Sequence, residues 1–242
     1  MNKRYELSTK SLLYAVICLR KRGIYGAAVS IPRRGDRAYG AFVANAEQEL
    51  SEKGLGTLDF DGNFCLEEAF GRLVGACADC RDVLGLSLMR EHARRVCTLY
   101  LGAGGLAVYR PDGICELYAV EDPCKTVAEL LALPAGEGSL TEVVVDTDHL
   151  ENKSLSALVE SGCGETAAKL ILDGFAGAGG YAHLVHTKNR VREGELLLLY
   201  GAEGIYSARA EYTETQELLR MTPVSAEIVL RLIDRSVSKE GV

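Results

Sequence analysis

Two stretches of the chain carry the same pattern of apolar and polar positions. Each begins with an apolar strand, makes a tight glycine turn into a second strand, and later reaches a segment with helical spacing. With a shift of ninety-nine residues, Leu99–Leu106 aligns with Leu198–Ile205, and the helix N-cap Thr126 aligns with Ser225. A repeat of roughly 100 residues is too long for a solenoid unit. The pattern therefore predicts a duplicated sheet-plus-helix unit whose copies share one core; a chance likeness of two hairpins is the alternative.

The remaining apolar spacing predicts a mixture of helices and short strands. Before the first copy we expect a helix from Ser8 or Thr9 to Gly23, a short strand over Ile24–Ile31, a helix over 37–53 ending at Gly54, a turn at Asp59–Asn63, and a helix carrying Leu66 to Cys77. After the linker-like segment Pro134–Gly138 we expect a strand over Thr141–Val145, helices over Leu150–Glu160 and Glu165–Asp173, a strand over Tyr181–His186, and a last helix from Ser225 to about Val237.

The first hairpin is apolar on both of its faces. One face carries Leu106, Val108, Ile114, Tyr118 and Val120, and the other carries Ala107, Tyr109, Cys115, Leu117 and Ala119. A strand with one face in water should alternate with charged residues, and these strands do so poorly. Both faces therefore need cover, and a face that the helices left bare would mark a site for a partner protein.

Composition narrows the class of protein without naming a function. The 242 residues are 48% hydrophobic, with 5 Pro, 8 Cys and a net charge of −7, which is typical of a globular domain. The start of the chain lacks the apolar run of a signal peptide, so we expect a cytoplasmic protein with reduced cysteines and no membrane insertion. Residues 1–40 hold nine Lys or Arg against two acids. We interpret them as solvated helix ends and loops, and expect no nucleic-acid partner.

The residues that commonly bind metals do not form a metal site. Cys77–Cys80 is a single Cys-x-x-Cys late in a helix, so it predicts core thiols rather than one half of a zinc site. His183 and His186 fall on opposite faces of a predicted strand. Asp59–Asn63 has its glycine two places too early for a calcium loop, and position twelve is Phe70 rather than Glu, so it predicts a turn.

Nucleotide and catalytic motifs are also incomplete. Gly177–Gly180 follows a helix and precedes a strand, the reverse of a dinucleotide-binding loop, and Gly162–Thr166 lacks the lysine of a phosphate loop. His92 and His149 have no patterned nucleophile or carboxylate beside them. We therefore predict no catalytic residues, no cofactor and no metal, and favour binding over chemistry.

Several short stretches together resemble one known family. They are the helix opened by Leu7–Ser8, the short strand ending in Pro32, the helix Ala44–Leu55, the Asp59–Asn63 turn with the Leu66–Leu84 helix after it, Gly136–Val145, Gly177–Val185, Gly204–Tyr206, and Thr222–Ser225. The chain is similar in these stretches to the EspG family, the cytosolic substrate-specific chaperones of the ESX (type VII) secretion systems of mycobacteria and their relatives.

The resemblance implies a fold and a role. The fold would be a single α+β domain over residues 1–242, with a central, mostly antiparallel sheet built from two quasi-symmetric halves, 1–134 and 135–242, and flanked by helical bundles. The role would be to hold a helical secretion substrate soluble and to deliver it for export. The 8 Cys, the absence of Trp and the short loops depart from the family. A WXG100- or LXG-type client therefore stands beside a PE–PPE pair as the expected partner.

Our candidate partner-binding residues lie on one face of a late strand. Tyr206 and Tyr212 share that face with Ala208 and Ala210, and tyrosine favours interface centres. The alternative is that both tyrosines are ordinary core or rim residues. A small-molecule-binding or regulatory domain, with Gly174–Gly180 lining a pocket, is the alternative function, and an enzyme of unrecognised type comes third. A homodimer stays open.

Overall fold

The computed structural model describes residues 3–90, 93–132, 142–146, 154–160, 164–176, 180–201, 204–214, 216–224, 227 and 229. Within these residues it contains six α-helices, a ten-stranded sheet and a separate two-stranded sheet. The α+β class and the large antiparallel sheet are therefore as predicted. The linker-like segment 134–138 and most of the predicted last helix lie outside the described residues.

The strands and helices follow one another in the chain as follows. The strands are β1 (Arg4–Ser8), β2 (Gly56–Leu58), β3 (Phe64–Leu66), β4 (Asp82–Arg90), β5 (Ala93–Tyr100), β6 (Gly105–Tyr109), β7 (Ile114–Ala119), β8 (Val143–Asp146), β9 (Tyr181–Lys188), β10 (Val191–Gly201), β11 (Gly204–Tyr212) and β12 (Glu217–Pro223). The helices are α1 (Thr9–Cys18), α2 (Arg37–Glu52), α3 (Glu68–Asp79), α4 (Pro123–Leu131), α5 (Leu155–Glu160) and α6 (Glu165–Ala176).

The large sheet has the strand order β1-β7-β6-β5-β4-β9-β10-β11-β12-β8, and β2 pairs with β3 apart from it. Two compact units interleave along the chain. Unit 1 consists of Met1–Gly85, Val96–Pro123 and Thr187–Val191, and unit 2 consists of Leu86–Arg95, Cys124–His186 and Arg192–Val242.

In unit 1, three helices cover one face of the sheet. Leu7 on β1 lies opposite Cys115 on β7, and both side chains are fully buried in a cluster with residues of α1, α2 and α3. Ala107 and Leu117 belong to the same cluster, so this face of the hairpin is covered as the apolar pattern required. On the opposite face Leu106 is also buried.

In unit 2, the strands β10, β11, β12 and β8 lie beside α5 and α6. The core there is formed by Val145, Leu158, Ala168, Leu170, Ile171, Leu199, Tyr206, Ala208, Leu219 and Met221. β10 pairs with β11, β11 with β12, and β12 with β8, and all three pairs are antiparallel. Among the described strands, β8 is the last in the order on this side.

Both ends of α1 are closed by local hydrogen bonds. Ser8 is the N-cap, and its Oγ accepts a hydrogen bond from the backbone N–H of Ser11 at 3.1 Å, as the sequence predicted. The prediction that α1 runs to Gly23 was wrong. The helix ends at Cys18, because Arg20 adopts a left-handed conformation with φ of 57° and the N–H of Lys21 bonds to the carbonyl of Val16.

Two further predictions of local structure were wrong. Ile24–Ile31 forms no strand: Gly26 has φ of 82°, and the Tyr25 carbonyl accepts hydrogen bonds from tyrosine side chains instead of a neighbouring strand. The Leu66–Leu84 segment is not one helix, because α3 ends at Asp79 and β4 begins at Asp82. Buried and half-buried positions alternate through the later part of β4, as they do in a strand.

Candidate partner-binding surface

The four residues proposed for partner binding form a row along β11, and their exposure rises along the strand. Tyr206 is 3% exposed and Ala208 is 9% exposed, and both belong to the core of unit 2. Ala210 is exposed, and Tyr212 is 77% exposed. The strand therefore carries one apolar face from the interior of unit 2 out to the surface.

The neighbouring strand explains why this row divides into a buried and an exposed part. Ala208 lies opposite Met221, which is fully buried, and Ala210 lies opposite Leu219. Tyr212, at the end of the register, lies opposite the exposed Glu217. On β11 the core thus ends between Ala208 and Ala210, and from Ala210 onward the apolar face of the strand meets water.

Tyr212 is held by a polar contact rather than by packing. The pKa of its hydroxyl is raised because the Glu217 carboxylate accepts a hydrogen bond from it and disfavours its ionised form. A tyrosine that is fixed at its tip and open along its ring loses little conformational entropy when a partner covers the ring. Such a side chain is suited to contact another protein.

The opposite face of the same strands is ionic. Arg220 on β12 forms ion pairs with Glu211 on β11, at 2.8 Å between Nε and Oε1, and with Glu142 next to β8. Arg220 lies opposite Val144, which is 45% exposed on the edge strand. The two faces of this part of the sheet therefore differ, with charge on one and the Tyr206–Tyr212 row on the other.

Other apolar side chains of unit 2 are also exposed. On α5, Leu158 is fully buried, while Leu155 is 37% exposed and Val159 is 42% exposed. A helix that buries one apolar residue and exposes two others has more apolar surface than its own unit covers.

The described cysteines and histidines have ordinary structural surroundings. Cys77 is fully buried, and burial raises the pKa of its thiol to about 12, while the thiol of Cys80 donates to the Asp82 carbonyl at 3.1 Å. His183 pairs with Glu195, and burial together with the nearby charge of Arg192 lowers its pKa. Within the described ranges no cluster of three or more His, Cys, Asp or Glu side chains has the geometry to hold a metal.

Asp59–Asn63 is a turn, as predicted. One carboxylate oxygen of Asp59 accepts hydrogen bonds from the backbone N–H groups of Asp61 and Asn63, at 2.9 and 2.7 Å. The N–H of Asn63 is the main reason that the pKa of Asp59 is lowered. This carboxylate is used to close the β2–β3 hairpin.

Four of the residues and segments weighed above as catalytic or nucleotide-binding motifs cannot be placed. His92, His149, the Gly162–Cys163 pair and Gly177–Gly179 lie outside the described residues. Among the residues that are described, no helix is long and apolar enough to cross a membrane.

Comparison with known proteins identifies the fold. No family model and no curated protein matches the chain. Among solved structures, the chain is similar to the Mycobacterium tuberculosis type VII secretion system chaperone EspG5, whose structure was solved in complex with the PE25–PPE41 dimer. The TM-score is 0.64 at 12% sequence identity, and the match covers 96% of this chain and 95% of that chain. The chain therefore has an EspG-like fold over nearly its whole length.

Proposed function

We propose that this protein is a cytosolic, non-enzymatic chaperone or adaptor that binds a helical type VII secretion substrate, keeps it soluble and delivers it for export. The observation that carries the proposal is the similarity in fold to EspG5, which extends over 96% of the chain. A shared fold does not by itself imply a shared function. The exposed apolar positions of unit 2 supply the independent support.

The contact surface that we propose begins at the exposed end of β11. Ala210 and Tyr212 would touch the client, while Tyr206 and Ala208, which are buried, would hold the strand in place behind them. One tyrosine covers roughly 150–250 Å². A specific interface needs roughly 800 Å² from each partner. Tyr212 would thus be one anchor of a larger surface, to which the exposed Leu155 and Val159 of α5 are candidates to contribute.

The client that we propose is an α-helical protein of the WXG100 or LXG type, or a PE–PPE-like pair. The solved EspG5 complex contains a PE–PPE dimer, which is the direct argument for the second class. In either case the client would present an amphipathic helix whose apolar face is unpaired. An exposed tyrosine and aliphatic side chains can bind such a face.

We also propose that the chain is a single domain that arose by duplication, with halves 1–134 and 135–242. The strand registers support this with a shift of one hundred residues, one more than the sequence alignment gives. In the first hairpin Leu99 lies opposite Leu106, and in the second Leu199 lies opposite Tyr206. Tyr100 and Tyr200 then correspond, and both are buried core residues.

The test is the solubility of a client in the presence of this protein. Each secreted helical protein encoded beside this gene is expressed in a bacterium alone and together with the full chain, and its soluble fraction is measured. We expect at least one of them to be soluble only with the full chain. If none gains solubility and none co-purifies, the proposed function is wrong.

A pair of variants tests the contact surface separately. We expect Tyr212→Ser to weaken client binding by roughly 2 kcal/mol, the cost of removing an interface anchor. The matched control is Leu58→Ser, which changes a side chain of unit 1 that is 59% exposed and should leave binding unchanged. The free energy of unfolding of both variants should lie within about 0.5 kcal/mol of that of the unmodified protein. If Tyr212→Ser binds the client as tightly as Leu58→Ser and the unmodified protein do, Tyr212 lies outside the interface.

A further inference from the structure

Unit 1 contains an open cavity that the proposed function does not use. Its volume is about 960 Å³, and its walls come from three segments that are distant in the sequence. Those segments are Arg20–Tyr25 after α1, Ala78–Arg81 at the end of α3, and the Asn189–Arg190 turn between β9 and β10. All of them belong to unit 1. Sites for small molecules commonly have volumes of roughly 300–1,000 Å³.

The walls of this cavity are strongly basic although the protein as a whole is acidic. Among the described lining residues, the cations are Arg20, Lys21, Arg22, Arg81 and Arg190, against one acid, Asp79, in a chain with a net charge of −7. Lys21 pairs with Asp79, with 2.5 Å between Nζ and Oδ2. No ion pair forms between the four arginines and any carboxylate in the part of the chain that the structure describes. Four exposed arginines thus line one cavity without a paired carboxylate among the described residues.

Two of these arginines occupy backbone positions that favour glycine. Arg20 follows the C-cap of α1 with φ of 57°, and the equivalent position after α2 is Gly54 with φ of 65°. Arg190 has φ of 68° at the second position of a two-residue hairpin turn, where glycine is the usual residue. A left-handed backbone costs free energy for any residue with a Cβ, and arginine has no side-chain feature that offsets the cost there. The fold alone gives no reason for arginine at either position.

The rest of the wall includes the apolar side chains of Ile24 and Ala78. The lining thus combines cationic residues with apolar ones.

We propose that this cavity binds a small ligand that carries two or more phosphate groups. The planar guanidinium group donates paired hydrogen bonds to phosphate oxygens and stays charged at every physiological pH, which suits arginine to this ligand. A single carboxylate would leave most of the four charges unmatched, whereas a polyphosphate matches them. The apolar part of the wall can hold an organic group attached to the phosphates.

The test is calorimetric titration of the full chain with ATP and, separately, with inorganic pyrophosphate. We expect saturable binding that weakens as salt is raised, because the interaction is between charges. Tighter binding of ATP would assign the ligand to the nucleotide class, and equal binding would assign it to inorganic polyphosphates. An oligoglutamate peptide is titrated as a carboxylate control. The proposal is overturned if neither ATP nor pyrophosphate binds saturably, or if only the peptide binds.

Glycine variants separate binding from folding. Arg20→Gly and Arg190→Gly should each weaken ligand binding by about tenfold or more, through loss of charged hydrogen bonds. Both should also raise the temperature of thermal unfolding, since glycine removes the backbone strain. Asn189→Gly is the matched control, because it changes the same turn at a position with φ of 50° and keeps every cation. Unchanged binding by both arginine variants would contradict the proposal.

Discussion

Glu49 on α2 connects that helix to the start of α1, and its replacement should weaken unit 1 in a pH-dependent manner. Its Oε1 accepts the backbone N–H of Ser8 at 2.8 Å, and its Oε2 accepts the hydroxyl of Ser11 at 2.6 Å. Lys53 forms an ion pair with the same carboxylate, at 3.9 Å between Nζ and Oε1. The Glu49 side chain is 24% exposed and Ser11 is only 1% exposed, so water replaces these bonds poorly.

The cost of replacing Glu49 follows from the groups left without a partner. Each hydrogen bond to a charged acceptor is worth about 1.5–3 kcal/mol. In Glu49→Ala the hydroxyl of Ser11 keeps a contact of 3.0 Å with the Ser8 Oγ, so the N–H of Ser8 is the principal loss. We therefore expect Glu49→Ala to lower the free energy of unfolding by about 2–4 kcal/mol. Glu49→Gln keeps one acceptor oxygen and the packing, and should lower it by about 1–2 kcal/mol.

The pH dependence has a definite sign. Burial raises the pKa of Glu49, but the hydrogen bonds from Ser11 and Ser8 outweigh burial and leave the pKa below its ordinary value. A carboxyl group whose folded pKa is lowered stabilises the protein above its unfolded pKa, near 4.3, and that stability is lost as the pH falls through the folded pKa. The difference between the unmodified protein and Glu49→Gln should therefore shrink as the pH falls from 7 to about 3.5.

The measurement is urea unfolding followed by circular dichroism at pH 7 and at acidic pH. The control is Glu52→Gln, near the end of the same helix, where the side chain is exposed and accepts a hydrogen bond from Gln48. We expect this control to change the free energy of unfolding by less than about 0.5 kcal/mol at either pH. If Glu49→Gln behaves like Glu52→Gln, or if its effect is the same at both pH values, the structural role given to Glu49 is wrong.

Two further pairs of substitutions test the core by comparing the free energy of unfolding within each pair. Tyr200→Phe should cost about 1–3 kcal/mol, because the buried Leu131 carbonyl loses the hydroxyl that donates to it at 2.9 Å. Tyr100→Phe should cost less, because its acceptor carbonyl keeps a second tyrosine donor at 2.9 Å, and equal costs would contradict this. Gly180→Ala should be strongly destabilising, because an added Cβ would lie 2.0 Å from a backbone carbonyl oxygen. The control is Gly194→Ala, where an added Cβ meets nothing within 4 Å. Equal stability of the two variants would refute the close approach at Gly180.

The features of the fold that the sequence predicted are those with a local cause. The Ser8 cap, the end of α2 at Gly54 and the Asp59–Asn63 turn each depend on hydrogen bonds between near neighbours in the chain. The hairpins around Gly104 and Gly204 were predicted for the same reason, because glycine and alternating apolar residues mark them directly.

The missed features depend on distant partners. β1 is a strand because Tyr5 and Leu7 are opposite Leu117 and Cys115, more than 100 positions away. Ile24–Ile31 has a β-like composition, but it has no partner strand, and its Tyr25 carbonyl accepts hydrogen bonds from side chains. Composition within a short window does not tell whether a segment has a partner strand elsewhere in the chain.

The candidate surfaces follow the same division. The shared face of Tyr206 and Tyr212 was predictable from strand parity, but the point at which the core ends along β11 was not, because it depends on the strands and helices around it. The basic cavity could not be predicted, since it gathers residues 20–25, 78–81 and 189–190. The only local signal was the excess of Lys and Arg in the first 40 residues.

The central claim is that this protein binds another protein, and the most direct test is the mass of the complex. The 26.1 kDa chain is co-expressed with a helical secreted protein encoded beside its gene, purified through a tag on the client, and measured by light scattering during size-exclusion chromatography. The account predicts one species whose mass is the sum of the chain and its client. A chain that elutes separately from every such client, as a monomer or as a homodimer, would contradict it.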